Sequence, residues 1–79
     1  MNTKKNAEAI RKEYENAGIN VYPLERVKVY VSIAKNMGLD EFDSYDAVVY
    51  LFNEIHGIFN ERLSREIINT VDEAFEVYK

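Results

Sequence analysis

The sequence predicts a small all-α fold, either a four-helix bundle or a pair of packed helical hairpins. Three observations point there. Apolar residues recur at spacings of three and four in four separate stretches of the 79 residues. Gly18 and Gly38 stand where the first two stretches end, as helix C-terminal caps do. A single proline leaves the stretches nearly free of breakers.

The first helix is expected over about 3–17, with Ala7, Ile10, Tyr14 and Ala17 on its apolar stripe. Lys4 and Lys5 fall in its first turn, where the helix dipole disfavours cations, so this end is expected to fray. Ile19-Asn20-Val21-Tyr22-Pro23 reads as an extended connector, because proline pushes the preceding residue away from helical angles. Residues 24–37 carry two periods at once. Val27, Val29, Val31 and Ile33 alternate as in a strand, whereas Leu24, Val27, Val31 and Ala34 fit a helix together with Tyr30 and Met37. The helical reading is favoured, since Leu-Glu-Arg opens the segment and Gly38 closes it. A two-stranded ribbon of 19–22 and 27–33, in an α+β fold, is the alternative.

A third helix is expected over 44–60, with Asp43 or Ser44 as N-cap and Asp46 in the first turn. Tyr45, Val48, Phe52, Ile55 and Phe59 form its stripe, broadened by Val49, Leu51 and Ile58. Gly57 interrupts it, which suggests a close neighbour or a kink. The fourth helix, over 64–78, takes Ser64 as N-cap and Leu63 with Ile68 as a hydrophobic staple. Its stripe is Ile67, Ile68, Val71, Ala74, Phe75 and Tyr78. The expected core is Ile10, Tyr14, Val27, Val31, Ala34, Phe52, Ile55, Phe59, Val71 and Phe75.

One domain, 1–79, is all this length can build, and a core of this size seldom supplies more than about 3 to 5 kcal/mol. With no cysteine, disulfides and thiolate metal sites are excluded, and one histidine cannot anchor an imidazole zinc site. Self-association or partner binding is then a route to added stability. No apolar run is long enough to span a membrane, and no signal-peptide pattern opens the chain, so the cytoplasm is the expected compartment. The many Asn, Lys, Ile, Tyr and Phe residues match AT-rich codons, which would suit a bacterium, a phage or another mobile element.

The net charge of −4 is unevenly spread. Residues 1–35 hold seven bases and four acids, whereas residues 36–79 hold three bases and ten acids. An acidic C-terminal half would attract a basic partner. Asp40, Glu41, Asp43 and Asp46 form its densest group. They lack the alternating acids, central glycine and closing glutamate of a calcium loop, and capping explains most of them. A docking patch is the functional alternative. His56 beside Glu54 has no cysteine to activate, and no serine is singled out as a nucleophile, so no catalytic set is expected. Three isolated glycines offer no phosphate loop. Neither a cofactor nor a metal is expected.

Tyr14, Tyr45 and Tyr78 fall on apolar stripes. Tyr22, Tyr30 and Tyr50 are less accounted for, and with Val29 and Ile33 they form a candidate contact surface, since tyrosine is enriched in interface hot spots. Over residues 19–55, the order of extended segment, helix ending Asn-Met-Gly38 and helix opening Ser-Tyr-Asp-Ala-Val-Val resembles that of ribbon-helix-helix DNA-binding dimers. In that arrangement the strand would offer Asn20 and Tyr22 with no base, and Asp43 and Asp46 would face phosphate. Direct nucleic-acid binding is therefore disfavoured. The sequence instead suggests a non-catalytic protein-interaction module, a regulator or inhibitor docking through an acidic, tyrosine-bearing helical surface on a larger partner, such as a basic nucleic-acid-binding protein, with a homodimer also open.

Overall fold

Four α-helices follow one another in the computed structural model, which describes residues 2–76. They are α1 (Thr3–Asn16), α2 (Pro23–Asn36), α3 (Glu41–Tyr50), which runs on into a π-helical turn (Leu51–Ile55), and α4 (Glu61–Phe75). The all-α expectation holds. Among the described residues there is no strand, so the ribbon of 19–22 and 27–33 is absent and 27–33 belongs to α2. A physical reason lies at Val21. Its N–H donates to the Tyr14 hydroxyl at 3.1 Å, and its carbonyl accepts from Arg26 Nε and Nη2 at 3.2 and 2.9 Å. Both backbone groups of Val21 are thus used inside the chain, and neither is free for a ladder.

The helix ends differ from the expected ones in an instructive way. At the start of α1, the Asn2 side chain accepts the Lys5 N–H at 3.0 Å, so the end expected to fray is capped despite its two lysines. The N-cap of α3 is Asp40, whose carboxylate accepts the Asp43 N–H at 2.8 Å, and not Asp43 or Ser44. At α4 the N-cap is Asn60, which accepts the Leu63 N–H at 2.9 Å, and not Ser64. The Leu63–Ile68 staple is lost with it: Leu63 is buried while Ile68 is 42% exposed. Gly38, at φ +91°, closes α2 by letting the Leu39 N–H reach back to the Ala34 carbonyl.

The third helix also ends sooner than expected. His56 N–H donates to the Leu51 carbonyl and Ile58 N–H to that of Phe52, a wide turn that closes at Gly57 with φ +69°. Nothing lies within 4 Å of where a Gly57 Cβ would sit, so the glycine serves this left-handed exit and not a close neighbour. Phe59 therefore leaves the helix and is 39% exposed rather than in the core. Ile55 and Phe75 pack only at the core's edge. Tyr78 and the last residues of the expected fourth helix lie outside the described residues.

The core joins Ala7, Ile10 and Tyr14 of α1 to Val27, Tyr30, Val31 and Ala34 of α2. Ala47, Val48, Leu51 and Phe52 meet them from α3 and its π turn, and Leu63, Ile67 and Val71 from α4. Among the described residues α1 packs on α2 and α3, α4 packs on the same two, α2 also packs on α3, and the backbones of α1 and α4 make no close approach. Around the bundle the helices therefore run α1, α2, α4, α3. The face between α1 and α2 lies opposite the face between α3 and α4.

Because α3 begins a turn early, Ser44 falls inside it and is fully buried, with no hydrogen-bond partner for its hydroxyl. Alanine there removes a desolvated polar atom and improves helix propensity. Ser44→Ala is expected to raise stability by about 1 kcal/mol, read as a higher urea midpoint with an unchanged slope.

Candidate functional site

Starting α3 at Asp40 places Glu41, Phe42, Tyr45 and Asp46 along one side of its first two turns, since residues three and four apart are neighbours on a helix. α4 packs beside them and brings Ile68, Val71 and Asp72. Together these seven residues line an open groove of about 400 Å³. Its apolar lining includes buried Val71, Phe42 at 71% exposure and Ile68 at 42%. Its edges are acidic: among the described residues none of Glu41, Asp46 and Asp72 has a basic partner. The ion pairs formed lie elsewhere, Arg11 with Glu15 and Arg65 with Glu61.

The acidic group read from the sequence thus divides by role. Asp40 caps α3 and Asp43 supplies the capped N–H, while Glu41 and Asp46 border the groove. Among the described residues no three acidic or histidine side chains converge to hold a metal ion.

The tyrosine-bearing candidates are not brought together. Tyr22 is 80% exposed at the N-cap of α2, and Tyr50 is half-buried in a second hollow with Thr3, Val49, Glu54 and Asp46, so Asp46 borders both this hollow and the acidic groove. Val29 and Ile33 line a further groove between α1 and α2. Tyr30 is a correction: it is fully buried and cannot be part of a contact surface. Its ring meets Tyr14 edge-on at 5.1 Å and Phe52 at 5.5 Å, and lies parallel to His56 at 6.1 Å. Its hydroxyl shares a 2.8 Å hydrogen bond with His56 Nε2, the phenol donating where that nitrogen is unprotonated. The π turn after α3 carries His56 to this position.

Burial raises the Tyr30 pKa, against the nearby Arg26 guanidinium that lowers it. Burial also lowers the His56 pKa, helped by the positive charges of Arg26 and Arg11. Since the folded pKa lies below the ordinary 6.5, the unfolded chain binds more protons between the two values. The stability that depends on neutral His56 is therefore fully present above pH 6.5 and is lost as the pH falls through the folded value. In urea titrations His56→Gln is expected to flatten that decline between pH 7 and 5, whatever it does to stability at pH 7. The pair joins α2 to the π turn.

Comparison with known proteins found no matching family model and no similar curated protein or solved structure. Among the described residues no helix is long and apolar enough to cross a membrane.

Proposed function

We propose that this chain is a small non-catalytic protein-interaction module that docks on a larger, basic partner through the groove between α3 and α4. One observation carries the reading: three carboxylates without basic partners among the described residues share a groove with Phe42, which is 71% exposed. Burying a phenylalanine contributes about 1.5 to 3 kcal/mol, and the acidic edges select a segment that sets Lys or Arg beside its apolar anchors. Basic surfaces of that kind occur on nucleic-acid-binding proteins. Covering one would make this module a regulator or inhibitor of its partner. The same carboxylates repel phosphate, which argues against direct nucleic-acid binding.

Affinity capture with the full chain tests the reading. Wild-type protein should retain a basic protein at low salt and release it as salt rises, and Phe42→Asp should retain none. Capture of the same proteins by both would contradict the proposal. Phe42 is exposed enough for this change to leave the fold intact.

A further inference from the structure

The groove between α1 and α2 differs in chemistry from the acidic one. Ala17, Ile19, Val29 and Ile33 give about 420 Å³ of it an apolar lining, with Ile19 39% exposed. Each wall carries one charge, Glu13 from α1 and Lys28 from α2, and among the described residues neither has an ion-pair partner. An edge bearing only acids repels a copy of itself. An acid and a base on facing walls are self-complementary under a twofold axis that runs along the groove, because this opposes the α1 wall of each copy, with Glu13, to the α2 wall of the other, with Lys28.

We propose that a second copy of this chain covers the α1/α2 groove, forming a twofold homodimer. The apolar linings meet at its centre, and two Glu13–Lys28 pairs flank them. This covers apolar surface on α2 that the single chain leaves open, in a molecule too small to gain much from its own core. The face used lies opposite the α3/α4 face, so the dimer turns one acidic groove outward at each end. A partner with two basic segments would then be held at both ends at once. The homodimer does not depend on what fills those outer grooves.

Light scattering on the full chain over a concentration series reads the outcome directly. The mass should approach twice the 9.2 kDa of one chain at high concentration. Lys28→Glu sets like charges together twice per dimer and should weaken association by roughly tenfold or more. The exchanged variant Glu13→Lys/Lys28→Glu should restore it. Both sites are exposed, and circular dichroism verifies that the helices persist. A mass of one chain throughout, growth beyond two chains, a dimer indifferent to Lys28→Glu, or no recovery in the exchanged variant would each overturn the proposal.

Discussion

Replacing Tyr30 by alanine is expected to abolish cooperative folding. The side chain is fully buried, touches Tyr14, Phe52 and His56, and ties α2 to the π turn through its hydroxyl. Truncating a large core aromatic costs about 3 to 5 kcal/mol, as much as a core of this size supplies. Tyr30→Phe separates the two contributions. It keeps the ring contacts and removes the hydrogen bond, leaving His56 Nε2 without its partner, so it should cost about 1 kcal/mol and leave a folded protein. Urea unfolding followed by circular dichroism distinguishes these outcomes. A Tyr30→Ala protein with the wild-type midpoint would show that the cluster does not hold the fold.

The second large effect concerns binding. Reversing Glu41, Asp46 and Asp72 to lysine shifts the net charge by six, from −4 to +2, and makes the groove edges repel a basic partner. Affinity for the captured partner should fall by roughly 100-fold or more, mainly through slower association, and the steep salt dependence should disappear. Phe42→Ala should act on the other rate. Losing an anchor that contributes about 2 kcal/mol speeds dissociation by roughly 30-fold while the salt dependence stays. Surface plasmon resonance at two ionic strengths separates them. Equal effects on both rates from both changes would mean that charge and anchor do not play separate parts. Lysine in the first turn of α3 opposes the helix dipole at about 0.3 to 1 kcal/mol, so the folded fraction is measured alongside.

The two misplaced N-caps show what periodicity can and cannot reveal. Asp40 and Asn60 each lie four residues before Ser44 and Ser64, close to one turn of 3.6 residues. Sliding a helix start by a turn leaves its apolar face unchanged, so the stripes were legible even though the caps were not. Both candidates at each end are good capping residues, and only the hydrogen bonds decide between them. Tyr30 was misread for another reason. It lies three residues from Val27, on the buried face, but the partner that satisfies its hydroxyl comes from 26 residues away. No local pattern announces a π turn that delivers such a partner.

The candidate site was legible in half. Glu41 and Asp46 stood out as charges near the start of α3, and Val29 and Ile33 as apolar surplus on α2. Phe42 lies before the helix start that Ser44 suggests, and the spacing of Ile68 from Leu63 also fits a staple, so neither is marked by the sequence as a groove residue. Starting the helix at Asp40 would have placed Phe42 beside Tyr45 and Asp46, at spacings of three and four. Asp72 could not be found that way, since only the packing of α4 against α3 carries it to the groove.

Whether the acidic groove accepts a basic, apolar-bearing segment can be read residue by residue by amide NMR. The probe is an amphipathic helical peptide of lysine and leucine, with a glutamate-and-leucine peptide of the same pattern as control. Saturable shifts confined to residues 41–46 and 68–72 are expected with the lysine peptide, lost in Phe42→Asp, and none with the control. Shifts spread over the surface, centred on residues 28–33, or equal for both peptides would contradict docking in the groove.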